Sequence, residues 1–417
     1  MKLLAFLPFA AAAATVPQSV SYDGHKVFRV PVTDDGSFLR SVLDKLDVSI
    51  WQPPSKKGAF ADIHVPPHSL APFEQALQGH EVITMHQDLG ESIRNEGTYQ
   101  VYAPGAPNST WFNSYHAYSD HLQWLNDLAS QYSKNAKVIT SGNTLQGNPI
   151  TGLHLFGSSG GGKKPAVVLH GTVHAREWIA SMVVEYFINE LLTKYGTDNT
   201  ITSFVDKYDF YLFPIVNTSN RMWRKNRQTT SGSSCLGHDI NRNWPYKWDV
   251  RGGSSDNPCA EDFRGRSAGD APETKSLSGF LQKVKNAQGL KLYIDYHSYS
   301  QIIMTPYGYS CSALPVNHGE LQSLAKGAVD AIYRIHGTKY RYGPICSTIY
   351  PATGSSVDYV ADVVNADYTF TAELRDTGRY GFVLPPDQIR PSGEEAFAGI
   401  VYLLANMKLS IKMCLSE

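Results

Sequence analysis

GTVHAREWIAS (Gly171–Ser181) joins two patterns: an apolar run, PAVVLHGTVH, that ends at His174, and a helix-spaced run, EWIASMVVEYFINELLTKYG, that begins at Glu177. A strand that is apolar at nearly every position is buried on both faces, as in the sheets of α/β proteins. In such folds ligands bind beyond the carboxyl ends of the strands, where loops and helix starts meet. His174 and Glu177, three residues apart at this junction, can converge on one metal ion. Spacing alone equally allows Glu177 to be a favourable acid in the first turn of a helix.

Working outward, the chain from about Trp111 alternates long helical and strand-like stretches. YSDHLQWLNDLASQYS reads as a helix, KVITSG, ITGLHLFG and PAVVLHGTVH as strands, and YDFYLFPIVN as another strand. After a long irregular stretch come helix ETKSLSGFLQKVKNA, strand GLKLYIDYHSYS, a further helix, strand DYTFTAELR and a final helix GEEAFAGIVYLLANMKLS. The expected architecture is an α/β domain with a mixed sheet flanked by helices. His297, like His174, falls at a strand end.

The N-terminal quarter has a different order. KVFRVPV, GSFLRSVLDKLD, VSIWQ, AFADIHV, SLAPFEQALQG and HEVITMHQDL read as β-α-β-β-α-β, a small ferredoxin-like α+β domain. Before it, MKLLAFLPFAAAAATVP has a lysine, an apolar run and small residues suited to cleavage, the pattern of a secretory signal peptide over residues 1–16. After it, a polar stretch with Gly and Pro over residues 97–110 reads as an exposed linker suited to proteolysis, with a glycosylation sequon at Asn108. The domains expected are therefore 1–16, 17–96, the linker 97–110, and 111–417.

Composition limits the partners. The chain has 417 residues, 42% hydrophobic and 12% aromatic, enough for a large core, and a net charge of −1 offers no broad field to gather nucleic acid or an anionic membrane. No nucleic acid and no membrane are expected as partners, and a monomer is. Five cysteines in an oxidising compartment should mostly pair. Cys235 with Cys259, bracketing a Gly, Asn and Ser-rich loop, and Cys311 with Cys346, each of which follows a strand-like run, are the expected bridges, leaving Cys414 over.

A hydrolytic zinc takes three protein ligands and keeps a position open. His297, at the end of an apolar strand, supplies the third ligand to His174 and Glu177, although taken alone it also fits a satisfied core histidine. Asp239, in HDINRNW, can hold the far ring nitrogen of a ligand histidine. Asn241 and Arg242 beside it present donors suited to a carboxylate. Glu373, in TAELRDTGRYGF, reads either as a general base for a metal-activated water or as the ion-pair partner of nearby Arg375.

HAREW, MWRKNR, DINRNW, DYHSYSQ, TIYPATGSSVDY and ELRDTGRYGF together, in this order, resemble the secreted zinc metallocarboxypeptidases of the carboxypeptidase A type over almost the whole chain. The small N-terminal domain resembles their inhibitory propeptide, and the main domain is then expected to carry their eight-stranded mixed sheet. The resemblance implies one Zn2+ per chain held by His174, Glu177 and His297, the ligand set of carboxypeptidase A itself. It makes Glu373 the catalytic glutamate and Arg224 the group that polarises the scissile carbonyl. Asn241, Arg242 and Tyr350 match the clamp on the substrate's terminal carboxylate, and Arg176, Ser298 and Tyr299 match other substrate contacts. Met304, Gly308, Ile345, Ala352, Ser355, Val357 and Thr371 match the wall of the terminal side-chain pocket. Its floor position, acidic in basic-specific relatives, is Val357; an apolar floor cannot compensate the burial of a lysine or arginine charge. Asp358, next door, lines up with an aspartate common to both specificity classes. The implied function is a secreted zinc exopeptidase, made as a zymogen, that removes aromatic or aliphatic C-terminal residues from peptides or proteins after an endoprotease releases its own propeptide; vacuolar delivery is the lesser alternative.

One departure bears on the site. Family members follow the FPIVN strand with a Pro-Asp-Gly turn and an excursion, whereas FPIVNTSNRMWRKNR is shorter by roughly eight residues; loops tolerate such changes better than strands do. Either Arg224 reaches the site by a shorter path, or it is displaced and the chain is an impaired zinc-binding relative that acts as a binding protein. The shortening also creates a sequon at Asn217, at what reads as a buried strand end. A third reading, an amidase for small acyl amino acids, is disfavoured by the carboxylate clamp and the propeptide.

Overall fold

The computed structural model describes residues 20–97, 102–105, 107 and 109–408. The leader 1–16, Asn108 and Cys414 lie outside the described residues. The two expected disulfides, Cys235–Cys259 and Cys311–Cys346, are both formed.

The N-terminal unit runs β1 (Lys26–Pro31), α1 (Ser37–Leu43), β2 (Ser49–Gln52), β3 (Phe60–Val65), α2 (Leu70–Ala76) and β4 (Ile83–His86), followed by a short α3 (Leu89–Arg94). Its strands order as β2-β3-β1-β4, with antiparallel neighbours. Phe28, Val30, Ile63 and Val65 from the sheet close on Leu39, Leu43 and Phe73 from the helices. This is the ferredoxin-like arrangement that the β-α-β-β-α-β order dictates.

The main unit contains α4 (Tyr118–Gln131), β5 (Ala136–Asn143), β6 (Pro149–Leu155), β7 (Ala166–Gly171), α5 (Trp178–Lys194), α6 (Asn199–Lys207), β8 (Asp209–Phe213), α7 (Pro272–Gln288), β9 (Leu290–His297), β10 (Ile302–Thr305), α8 (His318–His336), β11 (Arg341–Pro344), two single-turn helices α9 (Ile345–Thr348) and α10 (Ser356–Tyr359), β12 (Tyr368–Glu373) and α11 (Ile389–Asn406). The eight-stranded sheet has the order β11-β10-β12-β9-β7-β8-β6-β5. Its centre, β12-β9-β7-β8, is parallel. Alternation along β7 explains the continuous apolar pattern: Val167 and Leu169 pack under α5, α8 and α11, while Ala166 and Val168 pack under α7. No helix among the described residues is long and apolar enough to cross a membrane.

The sequence reading lacked α6, and it had β10 and β11 only as strand-like runs before Cys311 and Cys346. Each strand has four residues, too few for a periodic signal to stand out. The parallel centre delivers β7, β9 and β12 to one edge with their carboxyl ends level: Glu373 pairs in register with His297, and Gly171 with Tyr296.

Candidate active site

His174 lies in the turn after β7, Glu177 caps the start of α5, and His297 ends β9. Glu177 carries no side-chain capping bond to its helix. Its carboxylate instead lies between the histidines, Oε1 2.7 Å from His174 Nδ1 and Oε2 2.9 Å from His297 Nδ1. One ligand atom from each of the three lies within 4.8 Å of the others, and all three side chains are buried. Two imidazole nitrogens and one carboxylate oxygen, with no fourth protein donor in the group, are the donor set and count of a catalytic zinc site. The residues present therefore fit zinc. Burial works against the charge of Glu177, but the two histidines overcome it and hold its carboxyl far below the usual range.

Both histidines turn Nδ1 to the shared centre and are held from behind through Nε2. Asp239 Oδ1 lies 3.1 Å from His174 Nε2; the sequence reading left open which of the two histidines it would face. Asp295 Oδ1 lies 3.0 Å from His297 Nε2, a contact that reading missed. The signal was present: Asp295 is the charged interruption of the apolar run LKLYIDYH, two residues from the ligand.

The shortened connection after β8 does bring Arg224 to the site. The Asn217 side chain ties this segment down: Nδ2 donates to the carbonyls of Val173 at 3.1 Å, Arg224 at 3.2 Å and Lys225 at 3.0 Å. Two backbone bonds, Asn217 N to Thr172 O and Arg176 N to Trp223 O, lay the segment along the metal-binding turn. The Arg224 guanidinium donates to Asp239 Oδ2 from Nε at 3.1 Å and from Nη2 at 2.7 Å, and turns Nη1 to within 3.4 Å of His174 Nδ1. Burial opposes its charge, but Asp239, with Tyr350 and Glu177, more than offsets this and raises its pKa. Asn217 itself is 4% exposed and its amide nitrogen is fully engaged, so the Asn217 sequon is sterically closed to a glycan.

Glu373 ends β12 on the same cleft. Its Oε2 is buried without a hydrogen-bond partner, and Arg375 pairs with Glu395 on α11, so the structural ion pair considered for Glu373 is not made. Burial pushes the Glu373 carboxyl up to about 8; Glu177 adds to the rise, while His297 and Arg224 oppose it. A dication at the three ligand atoms would oppose it further.

The cleft that holds these groups is also lined by Asn241, Arg242, Ser298, Tyr299, Tyr350, Met304, Ile345, Ala352, Ser355, Val357 and Thr371. Asn241 Oδ1 accepts from Ser356 N at 2.9 Å, which fixes the amide, and Arg242 Nε is buried without a partner. Two expectations change. Gly308 does not line the cleft; it lies behind the wall, where a Cβ would stand 2.5 Å from Ala352 O, so its role is to let the wall close. Arg176 is 1% exposed and outside the open cleft. It donates to Glu261 at 3.1 Å and to the carbonyl of Ile50, from the N-terminal unit, at 3.2 Å. Asp358 points away from the cleft, accepting from the backbone of Gly308 and Tyr309 at 3.0 Å, and burial raises its carboxyl to about 7.

The N-terminal unit covers the cleft. Trp51, Gln52, Pro53, Ser55, Lys56 and Ala59 line its mouth. Trp51 packs on Phe382, 5.0 Å between ring centroids, and Phe382 packs on Tyr299 at 5.0 Å. The Tyr299 hydroxyl donates to Asp62, which also accepts from Arg29, and Arg29 donates to Thr377 O at 2.7 Å. Glu96 pairs with Arg221 in the same interface.

Comparison with known proteins fits this geometry. A family model described as zinc carboxypeptidase matches residues 121–399, and one described as carboxypeptidase activation peptide matches residues 29–96. This chain belongs to the zinc carboxypeptidases. Among curated zinc carboxypeptidases, it is 46% identical to a metallocarboxypeptidase A-like protein of Trichophyton verrucosum, over 97% of this chain and 99% of the relative. It is 37% identical to carboxypeptidase A4 of Mus musculus, over 92% and 94%. The crystal structure of thrombin-activatable fibrinolysis inhibitor superposes with a TM-score of 0.84 at 28% identity, covering 92% of this chain and 99% of that one. The protein is thus a metallocarboxypeptidase, a hydrolase made as a zymogen with its own activation peptide.

Proposed function

We propose that the protein is a secreted exopeptidase that removes aromatic and aliphatic residues from peptide C-termini, using one zinc ion per chain, and that it works as a monomer. The observation that carries this reading is the single cleft in which the three ligand atoms, Glu373 and Arg224 adjoin Asn241, Arg242 and Tyr350 on one side and the apolar pocket ending at Val357 on the other.

His174, Glu177 and His297 would hold the zinc, which when bound polarises the scissile carbonyl and lowers the pKa of water. Arg242, with its unpartnered Nε, and Asn241 and Tyr350 bind the terminal carboxylate, which limits cleavage to the last peptide bond. The terminal side chain then enters the pocket formed by Met304, Ile345, Ala352, Ser355, Val357 and Thr371, with Gly308 behind it. Asp358 spends its carboxylate on backbone donors, so the pocket offers no counter-charge to lysine or arginine. Glu373 accepts the proton of the attacking water and returns it to the leaving amine. Arg224 aims a fixed positive charge where the oxyanion develops. Ser298 and Tyr299 contact the substrate further along, and Arg176 serves the same stretch once Ile50 has left.

The test uses protease-activated enzyme on matched blocked dipeptides. Phe and Leu are expected to be released faster than Lys, and a C-terminal amide is expected to resist. Faster release of Lys would overturn the pocket assignment, and equal hydrolysis of amide and acid would overturn the clamp.

The same contacts set out how the activation peptide inhibits. The β2–β3 region occupies the approach to the cleft, holding Tyr299 through Asp62 and Arg176 through Ile50 O. An endoprotease acting in the 97–110 linker would release it. A hydrogen bond to a charged group contributes about 1.5–3 kcal/mol. Asp62→Ala is therefore expected to raise the residual activity of the uncleaved chain about tenfold or more, measured before and after protease treatment. Unchanged residual activity would remove Asp62 from the inhibitory contact.

A further inference from the structure

We propose that Asp295 is the positioning carboxylate of the His297 ligand, and that His170, Tyr293 and Ser356 form a buried frame that holds it. The inference rests on the reading of His297 as a metal ligand. Asp295 sits inside β9 with no solvent exposure, in a strand whose other residues are nearly all apolar. A charge placed there is costly unless it is compensated. The compensation is specific. Oδ2 accepts the Ser356 hydroxyl at 2.6 Å, and Oδ1 lies 3.0 Å from His297 Nε2 and 3.3 Å from His170 Nδ1. Among the described residues Oδ1 makes no hydrogen bond of regular geometry, so these two imidazoles are its close contacts.

The tautomers follow from these contacts. His297 must present a lone pair at Nδ1 to bind a cation beside Glu177, so its proton sits on Nε2 and faces Asp295. Asn241 Nδ2, 3.2 Å from the same Nε2, brings a donor and cannot take that proton; Asp295 is the acceptor within reach. On the far side, Tyr293 OH lies 2.5 Å from His170 Nε2, which suits a hydroxyl donating to that nitrogen and leaves the His170 proton on Nδ1, 3.3 Å from Asp295 Oδ1. Two imidazole nitrogens thus flank one carboxylate oxygen, at 3.0 and 3.3 Å, and the Ser356 hydroxyl holds the other oxygen, so the carboxylate is placed to set the plane of the His297 ring. Asp239 plays the equivalent part for His174, but it is shared with Arg224, whereas the Asp295 carboxylate is shared with His170 and Ser356. The two ligand histidines are therefore held by separate carboxylates, one coupled to a catalytic arginine and one wholly structural in its surroundings.

Loss of such a partner typically weakens metal binding 10- to 100-fold. In the full-length chain, Asp295→Asn is expected to raise the zinc Kd by about 10- to 100-fold, measured by competition with a chromogenic chelator, and to shift the visible spectrum of the cobalt-substituted protein. His297→Ala is the control: if it leaves zinc affinity unchanged, the ligand reading itself fails. If His297→Ala abolishes tight binding while Asp295→Asn keeps the Kd within about twofold, whatever its melting temperature, the positioning role is overturned and Asp295 is a packing residue. Should Asp295→Asn not fold, Ser356→Ala carries the test. It leaves the carboxylate but removes its 2.6 Å donor, and is expected to weaken zinc binding severalfold; an unchanged Kd overturns the frame.

Discussion

Glu373→Gln is expected to lower kcat by about 10²- to 10⁴-fold, the usual contribution of a positioned general base, with zinc content and folding unchanged. Glutamine keeps the shape and hydrogen-bonding capacity of the side chain but cannot take up or return a proton. The backbone of β12 is fixed by its parallel pairing with β9 and its antiparallel pairing with β10, so the substituted side chain stays at the same place on the cleft. Among the described residues Glu373 also makes no ion pair whose loss would unsettle the fold, and Arg375 is committed to Glu395. The loss should therefore appear in kcat, with KM nearly constant, in single-substrate kinetics on a blocked dipeptide. A kcat within about threefold of the parent would exclude Glu373 as the base, since even the lower end of the general-base range is 10².

What could be read in the sequence divides along physical lines. The strands of the parallel centre are buried on both faces, so their apolar runs stood out, and the residues at their ends, His174, His297 and Glu373, came with them. The local motif DINRNW marked Asp239 as a carboxylate for a ligand histidine, and the fold is what sets it against His174. Asp295 escaped, although its charge inside a mostly apolar strand was the visible sign, because His170 and Ser356, which flank it, come from segments far away in the sequence. Strands β10 and β11 showed only as strand-like runs without bounds, because four residues carry little periodicity. The position of Arg224 could not be read at all from the chain around it. It depends on the Asn217 amide reaching Val173, Arg224 and Lys225 at once, a tertiary arrangement without a local pattern. The same amide explains why a sequon that matches the glycosylation pattern is closed: a pattern reports sequence, whereas a glycan needs an exposed nitrogen.

Arg224→Ala is expected to lower kcat by about 10²- to 10³-fold, the range for removing one group that stabilises an oxyanion, with a smaller change in KM. The argument starts from what the guanidinium does at rest. Nε and Nη2 are spent on Asp239 Oδ2, which leaves Nη1 as the nitrogen directed to the ligand atoms, 3.4 Å from His174 Nδ1. A charge fixed in place by a buried carboxylate needs no reorganisation when negative charge develops nearby, and so favours the transition state over the ground state. The variant has a second consequence. Asp239 is fully buried and keeps its low pKa, against the cost of burial, mainly through Arg224 and then His174. Without Arg224 the carboxylate loses its largest compensation, so zinc affinity is expected to fall as well, through the weakened hold on His174. The two effects separate experimentally: at saturating zinc the affinity loss is restored, and the residual deficit in kcat measures oxyanion stabilisation alone. Arg224→Lys keeps a charge but not the fork that grips Asp239 while reaching the cleft, and should fall between the two. Full recovery of the alanine variant by zinc would show that Arg224 serves only to hold Asp239, and the shortened loop would then have cost the enzyme nothing at the reacting atoms.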